Sequence, residues 1–299
     1  MGLPVTVTLH EWPARSADGH VAAVRAHLVP GARVGLLFVP AMGVAAWHYD
    51  GFAQALAARG VAVAVHEWRG LGTSTLRASR RHDWSYRELL EDDLPASIGT
   101  VCTGAPPVRW CFGGHSLGSQ FAAMAAAVDA RAHGIMVIAG GAPYWRSFPH
   151  LQKLMLRGVF GVMNGVGAMR GYFPGRRAGF AGNEARGVIR DWTYTGRHGH
   201  YRVPGLARDH EGALHRCRLP VLAIRFTDDW YVPQAALDHL LAKLPHATVQ
   251  RQEIGRAALA GRAADHFGWM RHPVGVAERV ARWLGGSVRE ANASDSVAP

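Results

Sequence analysis

Gly114-His115-Ser116-Leu117-Gly118 is the stretch on which the reading of this chain turns. It follows the apolar run Val108-Arg109-Trp110-Cys111-Phe112 and opens an alanine-rich stretch over residues 120–130, so it reads as strand, sharp turn, helix. A serine at the centre of such a turn takes a strained backbone conformation that the flanking glycines permit, and its hydroxyl projects from the carboxyl edge of a sheet. In a chain with 36 glycines the bare spacing is weak. Its place between a strand and a helix is what marks Ser116 as a candidate nucleophile.

Outward from this turn the pattern alternates. Residues 5–9 and 20–28 read as strands joined through the hairpin signal Ala17-Asp18-Gly19, and 34–39 is a solid apolar strand. A helix over 51–59, a strand over 61–66, a helix over 86–101, the strand over 108–113, the helix over 120–130 and a strand over 134–139 follow. Alternation of this kind predicts a mostly parallel sheet of about eight strands flanked by helices, the α/β class. It breaks at Gly140-Gly141-Ala142-Pro143 and resumes at Pro220-Val221-Leu222-Ala223-Ile224. The intervening stretch is too long for a structureless loop, and it is expected to be a helical cap over the carboxyl edge of the sheet, where open α/β sheets bind ligands. A helix over 235–244, a strand over 248–254 and a helix over 274–284 complete the chain. The expected division is a core over 1–142, a cap over 143–218, the rest of the core over 219–285 and a disordered tail over 286–299.

Composition narrows the function. With 299 residues and a hydrophobic share of 48% one large domain can fill its core. The three cysteines, Cys102, Cys111 and Cys217, have no C-x-x-C spacing and read as reduced structural thiols. The start lacks the basic and apolar segments of a signal peptide, so a cytoplasmic location is expected. Its match to the loose myristoylation pattern is outweighed by a strand-like alternation. The most apolar long stretch, 154–173, is broken by Arg157, Asn164, Arg170 and five glycines, which argues against insertion in a membrane. Net charge is +11, yet the basic residues scatter along the chain and only Lys153 and Lys243 are lysines. No basic stripe with interleaved aromatics appears, so nucleic acid is not an expected partner.

A serine hydroxyl is a poor nucleophile at its own pKa and needs a general base, itself oriented by an acid. After such a turn the expected order is serine, carboxylate, histidine. The strand beginning at Val221 ends in Thr227-Asp228-Asp229-Trp230-Tyr231-Val232-Pro233, and Ala264-Asp265-His266-Phe267-Gly268 precedes the last helix. Asp229 is preferred over Asp228 because its spacing to Val232-Pro233 is that of an acid turn. His266 is preferred over His272 by position, and Asp265 reads as a loop-capping residue. The amide of Leu117 and that of Met42, in Pro40-Ala41-Met42-Gly43 after an early strand, are the candidate oxyanion donors. His115 and Trp230, beside the nucleophile and the acid, are expected to contact the substrate.

These pieces resemble the α/β-hydrolase superfamily and, more narrowly, a bacterial group of serine α/β-hydrolases without assigned substrates. The resemblance runs over residues 20–284. It rests on Pro40-Ala41-Met42-Gly43 with Tyr49 and Phe52, Arg69-Gly70-Leu71-Gly72-Thr73-Ser74, Asp83-Trp84, the Gly114–Gly118 turn, Gly171-Tyr172-Phe173-Pro174-Gly175, Thr227-Asp228-Asp229-Trp230 and His266-Phe267-Gly268. It implies hydrolysis of an ester or related acyl bond through an acyl-enzyme, but neither a particular substrate nor an oligomeric state; a small acyl compound is the expected partner, and with no cofactor fingerprint in the sequence no cofactor is expected. Glu67 stands where the group has aspartate, and Ser119, in place of a second glycine, is expected to alter helix packing beside the nucleophile. An acyltransferase using the same three residues is the alternative, and a protein that only binds its ligand is a third. His198, Gly199, His200 and His210 do not have the spacing of a metal site. Arg186, Arg190, Arg197 and Arg202 either pair with Glu184 and Asp191 or receive an anionic group of the substrate.

Overall fold

A computed structural model describes residues 6–106 and 108–295, the side chains of 287–295 excepted. The expected strand over 5–9 lies partly outside that range, and the first strand, β1, runs Thr8–Arg15. It pairs antiparallel with β2 (Val21–Leu28) across the predicted Asp18-Gly19 turn. Pro13 is tolerated because β1 is the edge of the sheet. Then come β3 (Val34–Val39), α1 (Asp50–Ala57) and β4 (Val61–Val65). The predicted helix over 86–101 is three pieces: α2 (Tyr86–Glu88), one π turn over Leu89–Asp93, and α3 (Leu94–Gly104), which has Pro95 in its first turn. The central unit is β5 (Arg109–His115), α4 (Leu117–Ala126) and β6 (Ala132–Ile138).

The segment inserted after β6 is mostly helical but also holds a small hairpin. It contains α5 (His150–Arg170), β7 (Tyr172–Pro174), α6 (Gly175–Ala178), β8 (Asn183–Ala185), α7 (Arg186–His198) and α8 (His210–Arg216), with β7 and β8 antiparallel. The core resumes with β9 (Val221–Phe226), α9 (Gln234–Leu241), β10 (Val249–Ile254) and α10 (Val274–Asp295). The last helix therefore continues to Asp295 and corrects the expected disordered tail. Ser287 to Ala293 contains no proline and several good helix formers, and it follows directly on a packed helix. Residues 296–299 lie outside the described ones.

The eight-stranded sheet has the order β1-β2-β4-β3-β5-β6-β9-β10, antiparallel over its first three strands and parallel beyond. Alternation along each strand divides the core into two layers. Leu37, Val39, Phe112, Val137 and Ala223 face α3, α4 and α9 through Ile98, Phe121 and Leu240. Leu36, Phe38, Cys111, Met136 and Ile224 face α1 and α10 through Phe52, Leu56, Val276 and Val280. Every residue of β3 and β4 is buried, as expected of strands covered on both faces. Burial pushes the Cys111 thiol up to about 12, and all three cysteines are free.

Arg69-Gly70-Leu71-Gly72-Thr73-Ser74 is structural. The Arg69 guanidinium donates to Asp93 in fork fashion, Nε at 2.9 Å and Nη2 at 2.7 Å, and also to Asp18. His20 lies between Asp93 (3.1 Å) and Ser74 (2.9 Å), and Ser16 donates to Asp93. The π turn aims the Asp93 side chain into this buried group. Although burial opposes its charge, the hydrogen bonds from Arg69 and His20 hold its carboxyl well below the usual carboxylate range. Asp93→Ala leaves Arg69 charged and half-paired in the interior, and is expected to destabilise the fold by about 3–5 kcal/mol in urea unfolding.

Glu67, two residues earlier, is 2% exposed and accepts the Ala46 amide at 3.2 Å. Desolvation raises its pKa to about 7. Between pH 4.5 and 7 the folded protein therefore holds a proton that the unfolded chain has lost, so stability falls as pH rises through this window. Glu67→Gln is expected to remove this slope, worth on the order of 2–3 kcal/mol between pH 5 and pH 8. Denaturation midpoints of both proteins at the two pH values check it.

Candidate active site

The turn after β5 is held by backbone contact. Ser116 has φ 54° and ψ −121°, a conformation that costs on the order of 1–3 kcal/mol and persists only where its surroundings enforce it. A Cβ on Gly114 would lie 2.3 Å from the Gly118 carbonyl carbon, and one on Gly118 would lie 2.1 Å from the Val39 carbonyl oxygen. Both glycines are thus fixed by steric closeness, which seats the start of α4 against the end of β3. The Ser116 amide donates to Ile138 (3.0 Å). Ser119 is fully buried and donates through Oγ to the Gly114 carbonyl at 2.6 Å. Its hydroxyl is absorbed into the turn as a further tie, and α4 stays a regular helix.

Asp229 and His266 are brought together. His266 Nδ1 and Asp229 Oδ2 are 2.8 Å apart, and both side chains are buried. The other oxygen, Oδ1, accepts the amides of Tyr231 (2.9 Å) and Val232 (3.1 Å), so the turn after β9 fixes the carboxylate. Asp228 points elsewhere, accepting from Arg256 and from the Ala264 amide. Asp265 accepts the amides of Phe267 and Gly268, a loop-capping arrangement. The rings of His115, Tyr231 and Phe267 pack around His266. His272 ends the short 3₁₀ turn Gly268–Arg271 and does not line the cavity.

Ser116 and His266 line one cavity of about 410 Å³, a size suited to a small ligand. Its core wall includes Met42, Leu117 and Trp230, and its outer wall comes from the insertion, chiefly Phe148, Met155, Leu156, Val159, Phe180 and Trp192. Apart from His266 the lining holds no ionisable group other than Tyr231. Arg186, Arg190, Arg197 and Arg202 do not line it; Arg186 pairs with Asp83 and Arg190 with Asp191. Among the described residues no three His, Cys, Asp or Glu side chains are grouped to hold a metal ion. His210 is buried beside the Met124 carbonyl, while His198 stacks on Tyr194.

The expectation that His115 contacts substrate is corrected. Its side chain is fully buried behind His266 and is absent from the cavity wall. As the last residue of β5 it points away from the mouth, and its Nδ1 lies 2.8 Å from the Tyr49 hydroxyl. That hydroxyl accepts the Ala41 amide at 2.9 Å. Burial and the neighbouring His266 hold His115 neutral, far below the ordinary histidine range, so Tyr49 donates to Nδ1 and the ring proton sits on Nε2, facing the His266 backbone without a well-aligned bond. Trp68 Nε1 adds donations to the Pro40 and Ala41 carbonyls, both 3.1 Å. The loop carrying Met42 is thus pinned from two sides. The Leu117 amide opens α4, where the first N–H groups have no partner within the helix. Tyr49 and Phe52 are visible in the sequence as part of the resemblance, but the Tyr49 link to His115 spans 66 positions and has no local signal.

Among solved structures, the chain is similar to the esterase domain of a Rhodothermus marinus protein (16% identity, 92% of this chain and 97% of that one, TM-score 0.60). It is also similar to a haloalkane dehalogenase from Bradyrhizobium elkani (17%, 95% and 100%, TM-score 0.62). A third is the thioesterase domain from the curacin biosynthetic pathway (16%, 93% and 99%, TM-score 0.56). At these identities the likeness is one of fold. No curated protein matches the sequence. The model of the alpha/beta hydrolase family matches residues 36–279, most of the chain and every element that builds the site, and this chain belongs to that family.

Proposed function

We propose that this hydrolase is a serine esterase acting through an acyl-enzyme on Ser116. The observation that carries the reading is that the His266 of the Asp229–His266 pair and a serine held at positive φ line one apolar cavity. With Nδ1 committed to Asp229, His266 offers Nε2 to the Ser116 proton. Oγ attacks the acyl carbonyl, the proton passes to His266, and the oxyanion is received by the Leu117 and Met42 amides. Collapse expels the alcohol, which takes the proton back from His266. Water then repeats the sequence, releasing the acid and freeing Ser116. The cavity wall, without carboxylate or cationic side chains, suits an uncharged acyl chain, with Trp230 at its rim. Three free thiols support a cytoplasmic location.

The apolar wall also supports a second reading, acyl transfer, since a cavity that excludes water favours another acceptor. Turnover of p-nitrophenyl esters of increasing chain length, with and without added alcohols, separates the two. Esterase activity is expected to release free acid with or without the alcohol. New esters that replace the acid as product would establish transfer instead, and ligand binding without turnover would indicate a protein that only binds.

A further inference from the structure

Helix α5 of the insertion is apolar on two opposite sides. Phe160, Met163 and Gly167 are buried against the rest of the insertion. The opposite side carries Leu151, Met155, Gly158, Val162, Gly165 and Met169, at alternating steps of four and three residues, which form one straight stripe along a helix. Leu154 lies beside them. Leu151 is 86% exposed, Leu154 72%, Val162 64% and Met169 68%. An exposed stripe of this length on a folded chain marks a contact surface.

Charge decides what it contacts. From residue 143 to 182 the sequence has no aspartate or glutamate but contains Arg146, Lys153, Arg157, Arg170, Arg176 and Arg177. Among the described residues none of these six has a carboxylate partner within ion-pair distance. By helical position Arg157 lies beyond Leu154 on one side of the stripe and Arg170 on the other, while Lys153 falls on the opposite side of the helix near Phe160. We infer that this face of α5 docks the protein on an anionic lipid bilayer, the helix lying in the plane of the surface with the stripe in the acyl boundary and the cations among the headgroups. A second copy meets the apolar demand but brings cations against cations with no acid to neutralise them. Met155 and Val159, exposed on the same helix, also line the cavity, as do exposed Trp230 and Phe267. Docking therefore presents the cavity mouth to the lipid. No helix among the described residues is long and apolar enough to cross a membrane, in keeping with a surface mode.

The test is sedimentation of the full chain with vesicles of phosphatidylcholine alone or mixed equally with phosphatidylglycerol, a readout independent of the esterase reading. The protein is expected to pellet with the mixed vesicles, weakly with the neutral ones, and less as salt is raised. Arg157→Gln with Arg170→Gln is expected to weaken binding about fivefold for each cation removed. Leu151→Ser with Val162→Ser is expected to weaken it at least about tenfold. These four side chains do not line the cavity, so ester turnover and thermal unfolding should be unchanged and serve as the folding control. No pelleting with mixed vesicles, equal pelleting with both kinds, or unchanged binding by the variants would overturn the inference. So would a lipid-independent dimer dissolved by the same substitutions, which would assign the stripe to a second copy.

Discussion

Ser116→Ala is expected to lower kcat for ester hydrolysis by about a million-fold, with the unfolding transition within about 1 kcal/mol of the parent. The size follows from the role assigned to Oγ, the atom that bonds to the acyl carbon. Removing it leaves the pinned Met42 loop, the Leu117 amide and the cavity in place, so substrate still binds but no acyl-enzyme forms. Stability is spared because the strain at this position belongs to the backbone, and alanine has the same Cβ. Steady-state rates on a soluble ester together with thermal denaturation give both numbers. A variant that retains turnover would remove Ser116 from the mechanism.

Asp229→Asn is expected to cost about 10⁴ in kcat, for a reason visible in the turn after β9. Oδ1 is committed to the Tyr231 and Val232 amides. An asparagine oxygen must stay there, and its NH₂ group then points at His266 Nδ1. That forces the imidazole to carry its proton on Nε2, where it cannot take one from Ser116. Asp228→Asn is the matched control: its carboxylate serves Arg256 and the Ala264 amide, and the loss there should stay below about tenfold, in keeping with an exposed ion pair of small worth. Similar losses at both positions would mean that the acid has been wrongly assigned.

The parts of this molecule that were legible in the sequence are those specified by short-range geometry. The Ser116 turn needs two glycines because two backbones touch there, and such contact leaves a fixed spacing. Asp229 was separable from Asp228 because its distance to Val232-Pro233 is set by one turn. The alternating strands followed from burial of β3 to β6 on both faces. Contacts between distant segments were not legible. Adjacency to Ser116 suggested that His115 faces the substrate, whereas the end of β5 sends it behind His266 to Tyr49. Arg186, for which the sequence offers pairing with Glu184 and Asp191 or an anionic group of the substrate, meets Asp83 instead, 103 positions away. The stretch over 154–173 argues by its interruptions against a membrane span, but that one side of α5 faces solvent depends on the packed insertion.

The most direct measurement is the reaction of the purified protein with a fluorophosphonate, followed by mass spectrometry of its peptides. A phosphonyl adduct confined to Ser116, absent from Ser116→Ala and slowed in Asp229→Asn, is the expected result. In folded protein, no adduct, or an adduct on another residue with Ser116 untouched, would contradict the assignment of Ser116 as the nucleophile.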